Sequence, residues 1–174
     1  MKQVSFLKLQ RNCAKDMSDL PVTKLALLGD CATQHIAKAI RGYAYEIGQN
    51  FDVFDADYDQ IDAQLMDEQS ELYAFAPDAV LIYHCTQKLY ERFTSVEPAA
   101  RGSFAESEAA KIATEWSRIA SHGKADILSF LFLPMDDGEV MLCAIRNVLQ
   151  DEALDDDAVT SVEKLAAEIG RAHV

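Results

Sequence analysis

Positive charge is scarce in this chain. Across 174 residues, 16 Lys and Arg stand against 29 Asp and Glu, a formal net charge of −13. Nucleic-acid binding rests on cations that displace counterions from phosphates, so no nucleic acid is expected as a partner. The same deficit argues against docking on an anionic membrane. Long apolar runs are also lacking. Stretches such as Ala79 to Tyr83 and Phe130 to Leu133 fall far short of the about twenty residues that a spanning helix needs. The opening residues, Met1-Lys2-Gln3-Val4-Ser5-Phe6-Leu7-Lys8, hold no sustained apolar stretch and no small-residue cleavage site, which predicts a cytoplasmic location. Cysteine is limited to Cys13, Cys31, Cys85 and Cys143, with no C-x-x-C pair. Free thiols and no metal site are the expectation.

What remains is the composition of a globular protein, 49% apolar and 26% charged, long enough for one domain with a real core. Strand and helix signals alternate. Lys24 to Leu28 reads as a buried parallel strand ending at Gly29. A helical pattern follows from about Ala32 to Ile47, with Ile36, Ile40, Tyr43 and Ile47 on one face and Gly48 placed to stop it. Phe51 to Asp55 reads as the second strand, followed by a polar, acidic passage (Asp57, Asp59, Asp62, Asp67, Glu68), and Asp55, Asp57 and Asp59 read as a solvated acidic loop. A short helix near Ser70 to Phe75 precedes the third strand, Ala79 to Tyr83, and a helical turn or two runs from Thr86 to Phe93. Ser103 with Glu106 forms a capping-box pattern before a helix carrying Ala109, Ile112, Trp116 and Ile119. Ile127 to Leu133, closed by Pro134, completes four βα steps. The predicted fold is a three-layer α-β-α arrangement around a parallel sheet, flavodoxin-like or Rossmann-like. The acidic run from Asp151 to Asp157 reads as a solvated helix end.

Ligands in such sheets bind beyond the carboxyl ends of the strands. Three stretches should meet there: Gly29-Asp30-Cys31-Ala32-Thr33-Gln34, then Asp55-Ala56-Asp57-Tyr58, and His84-Cys85-Thr86-Gln87. Cys31 is the sharpest candidate. In the first turn of a helix its thiol would face unpaired amides and the positive end of the dipole, which lowers a thiol pKa and stabilises an oxyanion. Asp30 could cap that helix or orient a base; the plain alternative is a small buried Cys31 beside a capping Asp30. A Cys–His pairing of Cys31 with His84 is conceivable. Because neighbours at a strand end point to opposite faces, only one of His84 and Cys85 can face the site. Asp55, Asp57 and Asp59 lack the glycine and closing glutamate of a calcium loop, and no glycine-rich phosphate loop follows the first strand.

These residues carry a specific resemblance. Leu27-Leu28-Gly29-Asp30-Cys31-Ala32-Thr33-Gln34 and Ala39-Ile40-Arg41-Gly42-Tyr43 resemble the opening of the N-terminal domain of FkbH-like proteins of the HAD superfamily. So do Ala56-Asp57-Tyr58-Asp59-Gln60-Ile61, the stretch from Asp67 to Tyr73, Phe75 with Pro77-Asp78, and Thr86-Gln87-Lys88-Leu89. The likeness is close from Lys24 to Phe93 and looser to Gly138. It implies an SGNH-hydrolase-like fold whose nucleophile position follows Gly-Asp. That makes Cys31 and Asp30 the catalytic candidates, with Gly29, Ala32, Thr33, Gln34, Tyr58, His84, Cys85 and Thr86 binding substrate. It further implies a downstream HAD-type phosphatase-like domain, where magnesium would bind; no cofactor is expected in residues 24–168. Relatives act in polyketide or surface-glycan biosynthesis, so an acyl carrier protein or a small acyl or glyceryl ester is the implied partner.

Departures accompany the likeness. Cys31 stands where an SGNH hydrolase has Ser, His84-Cys85-Thr86 stands where its oxyanion-hole Asn belongs, and Glu139-Val140-Met141 replaces the family's Phe-Gly-Asn. A non-catalytic docking or binding module is therefore the second expectation, with Lys38, Arg41 and Lys88 as its cationic contacts. The tail from Ile169 to Val174, back-translated, resembles read-through of a sequencing adapter. The expected layout is an N-terminal extension over residues 1–23, an α/β domain over 24–168 short of its last strand and helix, and an artefact over 169–174.

Overall fold

A computed structural model describes residues 4–130 and Phe132. The expectations for Pro134, the acidic run after Asp151, the C-terminal boundary, the last strand and helix, and the tail from Ile169 lie outside the described residues.

The elements follow the apolar pattern. Strand β1 (Val22–Gly29) is buried continuously from Leu25, as a strand covered on both faces must be. Helix α2 (Gln34–Glu46) returns the chain, and Gly48 supplies the left-handed turn, φ +67°, that frees it for β2 (Asn50–Asp55). Two short helices, α3 (Ile61–Met66) and α4 (Glu71–Phe75), lead to β3 (Ala79–Tyr83). Helix α5 (Thr86–Ser95), a 3₁₀ segment (Pro98–Ser103) and helix α6 (Phe104–His122) precede β4 (Asp126–Ser129). Ahead of all these lies α1 (Phe6–Asn12).

All four strands pair in parallel in the order β2-β1-β3-β4, the flavodoxin-like arrangement. Alternate residues of one strand serve opposite layers. Leu25, Leu27, Val53 and Leu81 pack against Ala37, Ile36 and Ile40 of α2. Ala26, Leu28, Val80 and Ile82 pack against Ile61, Leu65, Leu72 and Ile119 of α3, α4 and α6. Each fully buried leucine in these layers contributes about 1.5–3 kcal/mol. The predicted three-layer fold is what the chain adopts.

Several details depart from the sequence reading. The polar, acidic passage after β2 contains α3, a helix the sequence reading did not place, because Ile61 and Leu65, one turn apart, both reach the core. Ser103 does precede α6, but its hydroxyl donates to the Ala100 carbonyl at 3.1 Å and caps no helix amide. The preceding 3₁₀ turn supplies that nearer acceptor. Ile47, expected on the buried face of α2, is 49% exposed because the helix ends at Glu46. Within residues 1–23, α1 lies on α2 at close quarters. Asn12 Nδ2 donates to the Gly42 carbonyl (3.1 Å) and to Glu46 Oε1 (2.6 Å), and a Cβ at Gly42 would overlap the Leu9 carbonyl.

Candidate functional site

The strand order reverses at β1, whose neighbours β2 and β3 come from opposite sides, and this opens a crevice beyond its carboxyl end. The three stretches expected there do converge. The Asp30 amide donates to the Tyr83 carbonyl (3.2 Å), one residue past the strand, and Asp30 Oδ1 accepts from the Cys85 amide (2.7 Å). From the loop after β2, the Asp59 amide donates to the Gly29 carbonyl (3.2 Å). Lys88 of α5 completes the bridge, with Nζ 2.9 Å from Asp59 Oδ1 and 4.5 Å over the Tyr58 ring.

Beneath the crevice lies a buried charged group. His84 Nε2 is 2.8 Å from Glu115 Oε2, and His84 Nδ1 is 3.9 Å from Asp30 Oδ2, an electrostatic contact rather than a hydrogen bond. The side chains of all three are less than a tenth exposed. Burial alone would lower the imidazole pKa, but Asp30 and Glu115 outweigh it and push His84 up to about 9. For Asp30, burial opposes ionisation; the facing His84, the Cys85 amide and Lys88 prevail and hold its carboxyl below the ordinary range. Arg92 of α5 grips Glu108 of α6 with two hydrogen bonds (3.2 and 2.7 Å) and places Nη1 3.8 Å from Asp30 Oδ2. Asp30 Oδ2 and Glu115 Oε1 have no hydrogen-bond partner among the described residues, so charge, not pairing, offsets their burial.

The reading of Cys31 is corrected. Helix α2 begins at Gln34, not near Ala32, so Cys31 sits three residues ahead of the first turn in a bend. The cause is Thr33, buried, whose hydroxyl bonds Asp55 Oδ1 at 2.6 Å and ties the chain to β2 before the helix can start. Burial, then the neighbouring Cys85 and Asp30, push the thiol up to about 11 against an opposing pull from Lys88. The thiol is protonated at neutral pH. The capping role imagined for Asp30 also falls, since its carboxylate serves Cys85 across the sheet. His84 is the enclosed member of its pair, while Cys85 is half-buried with its thiol 2.9 Å from Gln87 Oε1. Ala32 and Gln34 are exposed, Thr86 is buried, and Tyr58 is 56% exposed. The amides of Cys31 and Ala32 have no acceptor among the described residues. Of the three cations considered for docking, Arg41 turns inward to the Val53 carbonyl and Lys88 is engaged with Asp59; Lys38 is exposed.

Glu115 and Arg92 were not foreseen. Glu115 was legible in principle, since it lies three residues after Ile112 and four before Ile119, on the buried stripe of α6. An acidic residue on such a stripe signals a buried partner. Among the described residues, no group of three or more His, Cys, Asp and Glu could hold a metal, and no helix is long and apolar enough to cross a membrane. A cavity of about 260 Å³, lined by residues including Tyr73, Val80 and His122, opens near the start of β3 and includes none of the candidate residues.

A family model described as "FkbH, N-terminal domain" matches residues 24–143. Among solved structures, the chain is similar to the N-terminal part of the protein BF1531 from Bacteroides fragilis, containing a phosphatase domain complexed with Mg, at 25% identity and a TM-score of 0.71. The match covers 98% of this chain and 43% of that one, so this chain spans less than half of its length. A search of the curated proteins finds no match.

Proposed function

Because this chain belongs to the FkbH N-terminal domain family, we propose that it is the substrate-presenting module of a larger, phosphatase-containing cytoplasmic enzyme of biosynthesis. In this reading the crevice at the ends of β1 and β3 holds an acyl or glyceryl ester or thioester, free or on an acyl carrier protein, without cleaving it. An SGNH-like descent and a magnesium-dependent step in a downstream domain belong to the same proposal.

The observation that carries it is the state of His84. An imidazole held protonated between two carboxylates has no lone pair with which to take a proton from Cys31. A protonated thiol without a base is a poor nucleophile. One observation favours the catalytic alternative: the amides of Cys31 and Ala32 are available to steady an oxyanion, so a base brought from elsewhere could make Cys31 an acyl carrier.

Titration of isotope-labelled protein with S-acetyl-N-acetylcysteamine and with glyceryl monoacetate separates the readings. Amide shifts should concentrate at Gly29 to Gln34, Tyr58 and Cys85 to Lys88, with no covalent acetyl group. Acetylation of Cys31 faster than of Cys13 would favour catalysis. Shifts confined to α1 or β4 would end both readings.

A further inference from the structure

We infer that Cys31 and Cys85 form a vicinal dithiol that closes reversibly to a disulfide, a modification site for low-molecular-weight disulfides at the mouth of the crevice. Gly29 and Tyr83 are register partners in the parallel pair of β1 and β3. Cys31 and Cys85 each lie two residues past these partners, beyond the strand ends. Past the strand ends the two backbones are still clamped together, by the Asp30 amide on the Tyr83 carbonyl and by Asp30 Oδ1 on the Cys85 amide. The two backbones therefore leave the sheet side by side from register partners about 4.8 Å apart; a disulfide bridges Cα atoms roughly 4.4–6.8 Å apart. The neighbouring Cys85 is also among the groups that act on the Cys31 thiol. Both residues are half-buried, within reach of a small reagent, whereas Cys13 sits apart at the end of α1 with its thiol near the Lys38 carbonyl.

The exchange balances in two steps. The Cys85 sulfur, having released its proton, attacks one sulfur of a glutathione-type disulfide and expels one thiolate. The Cys31 sulfur then gives up its proton, attacks the mixed disulfide at Cys85 and expels the second. The protein loses two electrons and two protons, and the small disulfide takes up both as two thiols.

The full chain suits the test, since trypsin places its four cysteines on separate peptides, residues 12–15, 25–38, 42–88 and 125–146. After equilibration with glutathione disulfide, alkylation and digestion, peptides 25–38 and 42–88 should be joined, about tenfold over any other cross-linked pair. One equivalent of phenylarsine oxide, which condenses with two thiols and releases water, should shield Cys31 and Cys85 together from iodoacetamide, and Cys31→Ser should abolish the shielding of Cys85. Separate glutathione adducts without joining, or links through Cys13 or Cys143, would overturn the inference. The measurements on the unaltered chain decide it even if the variant folds poorly.

Discussion

Raising the pH from 6 to 9 crosses the window between the unfolded and the folded titration of His84, and the cost to folding follows from the geometry. In the unfolded chain the imidazole titrates near its ordinary 6.5; in the folded protein Asp30 and Glu115 carry it up to about 9. Below 6.5 both states are protonated and the stabilisation is fully present. Between the two values the unfolded chain sheds its proton while the folded one keeps it, so stability declines steadily as pH rises. At about 1.36 kcal/mol per pH unit, the loss by pH 9 comes to about 3 kcal/mol, a large share of the roughly 5–15 kcal/mol that holds a domain together. Urea denaturation followed by circular dichroism at half-unit steps from pH 6 to 9 reads this directly. The window is clean at both ends. Asp30, held below 3.8, adds stability that is lost only as pH falls through the acid range, and the raised Cys31 enters only above its ordinary 9.0. His84→Gln should flatten the profile, and Glu115→Gln should reduce its slope. A wild-type profile that is level across this window, or an equal slope in His84→Gln, would refute the reasoning.

Gly42→Ala should loosen α1 without unfolding the sheet, because the new methyl group would meet the Leu9 backbone, its Cα at 2.7 Å. Against a helix-propensity gain of about 1 kcal/mol, overpacking costs about 1–3 kcal/mol, so faster tryptic cleavage after Lys8, Arg11 and Lys15 with little change in the exchange of β1 amides is expected; unchanged cleavage would refute the contact. Thr33→Val removes the 2.6 Å bond to Asp55 while keeping the shape. It should cost about 1–2 kcal/mol in urea denaturation, and a variant as stable as the parent would show the bond to be dispensable.

Much of this architecture was legible in the amino-acid pattern, and what escaped did so for physical reasons. The third strand was read to the residue, Ala79 to Tyr83, because a strand buried on both faces is apolar throughout and Pro77 and His84 bound it. Helix α3 escaped because six residues make under two turns and only Ile61 and Leu65 of them are buried. The convergence of the loops around Gly29, Tyr58 and Cys85 followed from strand order alone. The chemistry of the site did not. Whether a helix starts at Ala32 or at Gln34 depends on a tertiary bond from Thr33 to Asp55, which local propensity does not contain. The upward shift of the Cys31 thiol comes from burial and from the neighbouring Cys85 and Asp30, which only the folded chain brings to it. The partners of His84 were hidden for a similar cause, since Glu115 and Asp30 lie 31 and 54 residues away and meet it only through packing.

The place of β1 in the sheet has a consequence for how the chain is made. This strand, Val22–Gly29, leaves the ribosome early, yet its partners on the two sides are residues 50–55 and 79–83. Until residue 83 has been synthesised, Leu25 to Leu28 stand in the nascent chain with at least the edge that β3 will take unpaired. Segments in that condition are where growing polypeptides aggregate or call on chaperones. The strand that organises the finished crevice is therefore the one whose exposure during translation is longest, and anything that slows elongation between residues 29 and 83 prolongs it.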